Sequence, residues 1–297
     1  MLNEQLRPRK YVYWALLFLP VALYLFTAIV PMFYSFYYGL FKWSGGPKMV
    51  FIGLRNFEKL LRDSIFWESV GNNLYIVVAC ILGQIGIAMV LSMLMSTRYA
   101  RLKGLHRTLC YFPMTISVVV VGFVWSMLYD YNYGFINGFL DLIGRTDLKQ
   151  PWLANPKLAL PLVCLPLVWQ CIGYYMVIIL AALTSLDKGV LEMAEIDGAT
   201  EWQKFCHITL PLLRPTLSVM ITLCISGNMK AFDHIYVMTS GGPGSATSVM
   251  ALYAYNMSFL RNNMGYGNAI SVGILIVSVS VILITKMLER RISGEEV

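Results

Sequence analysis

The sequence predicts an all-α membrane protein with six transmembrane helices, and three observations predict it. Hydrophobic residues make up 58% of the 297 positions. Charged residues make up 13% and mean hydropathy is +0.63, whereas a soluble globular domain carries about 25% charged residues. Apolar stretches of about 18 residues or more, the length that spans hydrocarbon as a helix, recur along the whole chain. Lipid is therefore the solvent for most of it, and with no water there to pair the backbone, these lengths select helices.

In order, the expected spans cover residues 11–41, 69–96, 109–129, 158–186, 215–239 and 268–285. The first run is too long for the apolar core of a cleaved leader, and no small-residue cleavage site follows it. Placing both termini in the cytoplasm puts Arg7, Arg9 and Lys10 inside, then Arg98, Arg101, Lys103 and Arg107, then Lys188, Lys204 and Arg214, and last Lys286, Arg290 and Arg291. Those shorter inner segments then hold just over half of the 23 basic residues, and the crowded connection 98–107 decides the orientation. The net charge of +7 reads as topology and attraction to lipid headgroups. No interleaved basic and aromatic surface for nucleic acid is present. The connections 42–68 and 130–157 carry turn signals such as Gly45-Gly46-Pro47 and Asn137-Gly138. They fit outer binding surfaces and plain connectors equally well.

Cys80, Cys110, Cys164, Cys171, Cys206 and Cys224 lie in or beside apolar spans, except Cys206, and do not form a disulfide framework. The mid-depths of the spans carry almost no Asp, Glu, Lys, Arg or His, groups that ion-coupled carriers need. The chain also lacks the GxxxxGK[ST] loop that cradles nucleotide phosphates. Energy for any transport must come from a separate subunit.

The fourth span offers Trp169, Gln170, Tyr174 and Tyr175, aromatic faces and amides of the kind that bind sugar rings and hydroxyls; an interfacial aromatic belt or a packed core is the competing reading. The fifth span has only a short apolar run, 216–227, before Asn228, Lys230, Asp233 and His234. Helical spacing would let Lys230 meet Asp233 and His234 along one face, though a helix end reaching into the interface explains those three as well. Asn228 lies deeper and reads as facing a polar pathway, because an amide turned to lipid leaves its hydrogen-bonding capacity unused.

Between those spans runs an acidic elbow, EMAEIDGATEWQKFCHITLPLLRP, residues 192–215. Asp187, or the Thr184-Ser185 pair, can cap a short helix starting near Lys188, with Glu192, Glu195 and Asp197 on its exposed side. Gly198 permits a sharp turn. A second amphipathic stretch, 201–208, gathers Trp202, Phe205 and Cys206, and Pro211 and Pro215 set the restart into the membrane.

The order Glu192-Met193-Ala194, Gly198, then Ile208-Thr209-Leu210-Pro211 resembles the EAA loop of ABC importer permeases. Phe232-Asp233, Tyr236, Thr239-Ser240-Gly241-Gly242-Pro243, Thr247 and Tyr266-Gly267-Asn268-Ala269 are similar to the carbohydrate branch of that family, the maltose and glycerol-3-phosphate type. The resemblance implies a type I importer fold, with residues 1–68 as tail, first helix and outer loop, 69–291 as a five-helix core, and 292–297 as a cytoplasmic tail. It implies a multi-pass protein of a prokaryotic cytoplasmic membrane that is not itself an enzyme. Its partners would be a second permease subunit, two ATPase subunits carrying ATP and Mg, and an extracytoplasmic solute-binding protein. Glu192, Ala194, Asp197, Gly198, Ile208, Leu210 and Pro211 would couple to the ATPases. Trp169, Gln170, Tyr174, Tyr175, Asn228, Lys230 and Asp233 would line the path of a saccharide, and Asn228 matches a sugar-contacting amide of maltose-type relatives. Met193 departs from the family's alanine, and Leu167 and Val118 are apolar where the maltose-type pattern is polar. A glycerol-3-phosphate or glycerophosphodiester importer, an ion-coupled carrier and a non-transporting scaffold are the alternatives.

Overall fold

The structure, a computed structural model, describes residues 10–96 and 102–293; Arg7, Arg9, Arg98 and Arg101 lie outside them. Among the described residues four helices are long and apolar enough to cross a membrane: Leu16–Gly39, Ser64–Ser96, Ala159–Thr184 and Met264–Arg291. Two more stretches qualify only as bent pairs, Lys103–Thr115 with Val118–Leu128 at 93° and Glu201–Leu212 with Arg214–Asn228 at 67°. The chain is a multi-pass membrane protein whose third and fifth apolar stretches are not the straight helices that hydropathy suggests.

Each stretch departs from a straight helix at a definite point. Pro113 sits in a 3-10 turn, Phe112–Thr115, after which Ile116 and Ser117 take extended ψ values of 140° and 133°. A residue with extended ψ cannot continue an α-helix, so the chain swings. In the fifth stretch the helix Arg214–Asn228 ends at Asn228, and a separate helix, Asp233–Met238, begins after four non-helical residues.

The chain divides into two compact units. One comprises Met1–Asp63 with Ala254–Gly273. Its apolar helix Leu16–Gly39 has none of its most apolar window buried, so lipid contact rather than core packing holds it in place. A hairpin follows, strand Phe41–Trp43 antiparallel to Met49–Phe51 with Phe41 opposite Phe51. Buried Asn56 donates to the carbonyls of Gly39 and Phe41 at 2.8 and 3.0 Å, tying off the helix end. Gly265 lies against the hairpin backbone at Phe41 and Trp43, where a side chain would collide. Lys59 stands over the Tyr266 ring at 4.1 Å, and the Tyr266 hydroxyl donates to the Asp63 carboxylate.

The other unit comprises Ser64–Tyr253 with Ile274–Val297. Ala159–Thr184 is its centre, packing on Ser64–Ser96, Lys103–Tyr111, Val118–Leu128 and Arg214–Asn228. Close crossings depend on glycine, because without water between them helices associate through tight contact. A side chain at Gly173 would run into the Cys110 carbonyl and the Tyr111 Cα, which are backbone and cannot yield. Gly83 takes the Val168 side chain in the same manner. Pro166 inside the central helix has no N–H to give the Leu162 carbonyl; the Tyr129 hydroxyl supplies that bond at 3.2 Å.

Gly173→Val is expected to lower the thermal stability of the purified chain in detergent, by about 3 kcal/mol, the upper end of over-packing costs. Gly227→Ala is the control, since open space surrounds Gly227. A thermal unfolding curve for Gly173→Val that overlays the parent's would refute the crossing as described.

Candidate functional site

The elbow is two helices locked to each other. The first, Lys188–Ile196, starts at Asp187, whose carboxylate accepts from the Gly189 N–H at 2.9 Å. An oxygen side chain at that position satisfies a donor that the helix itself cannot pair. At the other end Gly198 has φ of +79°. Its N–H donates to the Glu195 carbonyl at 3.1 Å, and the Ala199 N–H donates to the Ala194 carbonyl at 3.0 Å. This double bond pattern closes the helix through a left-handed residue, and it is the conformation that calls for glycine, since the space around Gly198 is open.

Thr200 then caps the second helix, Glu201–Lys204, in a reciprocal box with Gln203. This helix runs through a π-helical turn, Phe205–Thr209, into Leu210–Leu212 and on to Arg214–Asn228. The lock is Lys204. Its side chain is 9% exposed, and its ammonium lies 2.7 Å from Glu195 on the first helix and 2.5 Å from Glu201 on its own. Hydrogen bonds to the Glu195 and Glu201 carboxylates hold the Lys204 ammonium above its ordinary pKa.

What the elbow presents outward is mixed. Glu192 and Asp197 are exposed, as their acidic character suggested. Between them runs an apolar ridge that sequence reading missed: Val190, Met193 and Ile196, three residues apart and therefore in line, with Ile196 84% exposed. Trp202, grouped from the sequence with Phe205 and Cys206 on an apolar side, is exposed, its ring tilted on Phe205 at 5.6 Å. Ala194 is buried beneath the ridge, and Ile208, Leu210 and Pro211 are half-buried on the way into the next helix.

The residues read as a pathway separate into groups. Tyr175 and Asn228 both neighbour Cys224, and the Asn228 amide donates to the Cys224 carbonyl at 2.9 Å and its sulfur at 3.4 Å. Both are buried. Tyr174 lies edge-on to Tyr175 at 5.1 Å. Trp169 is half-exposed and tilted on Trp125 at 6.1 Å, and Trp125 contacts Tyr129 at 5.8 Å. Gln170 is buried elsewhere, its amide donating to the Ile116 carbonyl at 2.8 Å, where the third stretch bends.

Lys230 and Asp233 are exposed at the break after Asn228. Among the described residues no ion pair joins them. The expected pairing required a continuous helix, and residues 229–232 are not helical. His234 is buried on the following helix, with its Nε2 unpaired.

Comparison with known proteins follows this geometry. Residues 84–294 match the family described as binding-protein-dependent transport system inner membrane component. A probable ABC transporter permease of Pyrococcus horikoshii is 35% identical over 265 residues, covering 89% of each chain. The multiple sugar-binding transport system permease protein of Streptococcus mutans is 29% identical over 271 residues, covering 90% of this chain and 91% of its own. The fold matches a chain in the crystal structure of a bacterial alginate ABC transporter in complex with alginate pentasaccharide-bound periplasmic protein, with TM-score 0.84 and 22% identity over 97% of both chains. The chain therefore belongs to the binding-protein-dependent transport system inner membrane component family, the ABC transporter permeases.

Proposed function

We propose that this chain is the permease subunit of an ATP-driven importer that moves a saccharide, an oligosaccharide by preference, across a prokaryotic cytoplasmic membrane. The observation that carries the reading is the elbow. Two short helices, closed by Gly198 and pinned by Lys204, present an apolar ridge flanked by Glu192 and Asp197. A rigid knob of that kind suits the groove of a partner, and its residues are those of the EAA loop. Each bent pair is in this reading one span, the spans number six, and the loop and both termini face the cytoplasm. In this reading residues 1–68 form a peripheral helix and outer loop, 69–291 the translocating core and 292–297 a tail.

The partners are a second homologous permease, two ATPase subunits that hold ATP and Mg, and an extracytoplasmic solute-binding protein. Closure of the ATPases pulls on the elbow at Glu192, Ala194, Asp197, Gly198, Ile208, Leu210 and Pro211 and rotates the attached helices. Sugar released by the binding protein passes Trp169, Tyr174, Tyr175 and Asn228, where aromatic faces and an amide offer both halves of carbohydrate recognition. Gln170 contributes by holding the bend at Ile116. The names of the streptococcal relative and of the alginate transporter support a sugar as cargo. Lys230 and Asp233, exposed at the helix break, favour by contrast a cargo with charge, such as a sugar phosphate.

Glu192→Lys reverses charge on the knob without touching its closure, and it is expected to cut co-purification of the ATPase subunits and uptake together, about tenfold for a loss near 1.4 kcal/mol. Wild-type capture and transport would sink the docking role. Asn228→Leu is expected to alter uptake of a labelled panel of maltose, maltotriose, trehalose and raffinose while ATPase capture stays intact. Unchanged uptake across that panel would remove Asn228 from the pathway.

A further inference from the structure

Asn73 lies within the apolar helix Ser64–Ser96 and is fully buried. Its Nδ2 donates to the carbonyl of Asn228 at 2.9 Å, and its Oδ1 accepts from the backbone N–H of Met250 at 2.9 Å. These two partners bracket the segment 229–249, which holds the helix break and the Gly-rich turn after it. That turn is closed on itself: Thr239 and Thr247 hydroxyls are 2.7 Å apart, and the Thr247 hydroxyl donates to the Gly242 carbonyl at 2.8 Å.

Neighbours of Asn73 extend the same grip. Asn72 Nδ2 donates to the Ser248 carbonyl at 2.8 Å and reaches Ala246 at 3.2 Å. Ser69 donates to the Ser248 hydroxyl at 3.0 Å, and Ser245 donates to the Glu68 carboxylate at 2.6 Å. One stretch of helix thus fastens the break at one end and the turn at the other. A planar amide offers a donor and an acceptor on one rigid group. Moving the break without the turn would strand a buried donor or acceptor where no water can replace the partner, so the two are costly to separate.

We infer that Asn73 is a positioning residue of the transport cycle: it joins the break after Asn228 to the turn 239–249, so that both move as one body when the pathway opens. The inference rests on the pathway reading of Asn228. Its test uses the complete complex, both permease subunits, the ATPases and the binding protein, in proteoliposomes with [14C]maltotriose as probe. Two quantities are read: ATP hydrolysed per maltotriose taken up, and the maltotriose concentration giving half-maximal uptake.

Asn73→Asp keeps the acceptor for Met250 and drops the amide donor to Asn228. It is expected to raise the ATP-to-sugar ratio about tenfold, the equivalent of one buried bond left unmade. Asn73→Leu, which removes both bonds, is expected to raise it at least as far in the complexes that assemble. Loss of folded protein alone would leave the ratio per assembled complex unchanged, and a wild-type ratio and half-saturation in both variants overturns the inference. Asn228→Leu in the same assay reads the pathway separately. Unchanged uptake there beside a raised ratio in Asn73→Asp overturns the role of Asn228 and leaves the hold of Asn73 on the turn supported.

Discussion

A carbonyl freed inside hydrocarbon has no water to turn to, and this chain frees several. Pro166 strips the Leu162 carbonyl of its helical donor, and the Tyr129 hydroxyl replaces it. The bend at Ile116 leaves a carbonyl that Gln170 pairs. The break after Asn228 is met by Asn73, and the end of the first apolar helix by Asn56. In each case the backbone irregularity and the side chain that permits it lie on separate stretches of sequence. The breaks exist only in the folded chain, because an isolated helix could not bear the unpaired group, worth several kcal/mol in lipid.

That requirement explains why the helix Ser64–Ser96 is polar in its interior. Ser69, Asn73, Gln84 and Ser92 are all buried, and each bonds outside its own helix. Gln84 illustrates the economy: its amide donates to the Leu167 carbonyl at 2.9 Å, and its oxygen takes the Cys224 thiol at 3.7 Å, so one side chain touches two neighbouring helices. Interhelical hydrogen bonds in membranes contribute about 0.6 kcal/mol on average. Their role here is chiefly to specify which backbone irregularity sits against which helix, while glycine at positions 83 and 173 lets the helices come close enough to bond.

How much of this could be read in advance follows from the range of each interaction. Apolar length located the straight spans, because hydropathy is summed over many residues. The ends of the elbow's first helix were nearly as plain: Asp187, one of two candidate caps, and Gly198 act on their immediate neighbours, and the structure sets them at the two ends of that helix. The bend at Ile116 and the break at 229–232 were not legible, since both are stabilised by residues far away in the chain. Gln170 shows the cost of reading a polar residue locally. Its residue type suggests a sugar ligand or a packed core position, and what the structure adds is a bond from its Nε2 to the distant Ile116 carbonyl. Asn73 and Gln84 carried a usable signal that went unread: a lone amide in an apolar run is expensive, and so must have a partner.

The same reasoning links the elbow to Asn228 mechanically. From Thr200 the chain runs through Glu201–Leu212, turns by 67°, and continues as the 15-residue helix Arg214–Asn228. At 1.5 Å per residue that helix is about 22 Å long, and its last carbonyl is the one Asn73 holds. Near its start, Ser218 is bonded by Lys286 at 2.6 Å and donates to Glu289 at 2.5 Å, fixing the near end to the final helix. A stiff rod anchored at both ends by polar bonds has few ways to move: it tilts or turns as a whole. Beyond the bend at Leu213 the helix has no glycine before Gly227 and no proline after Pro215, so a displacement of its near end would reach Asn228 with little loss. The 67° junction at Leu213 is where this rod meets the elbow, and hinges commonly fall at such element ends.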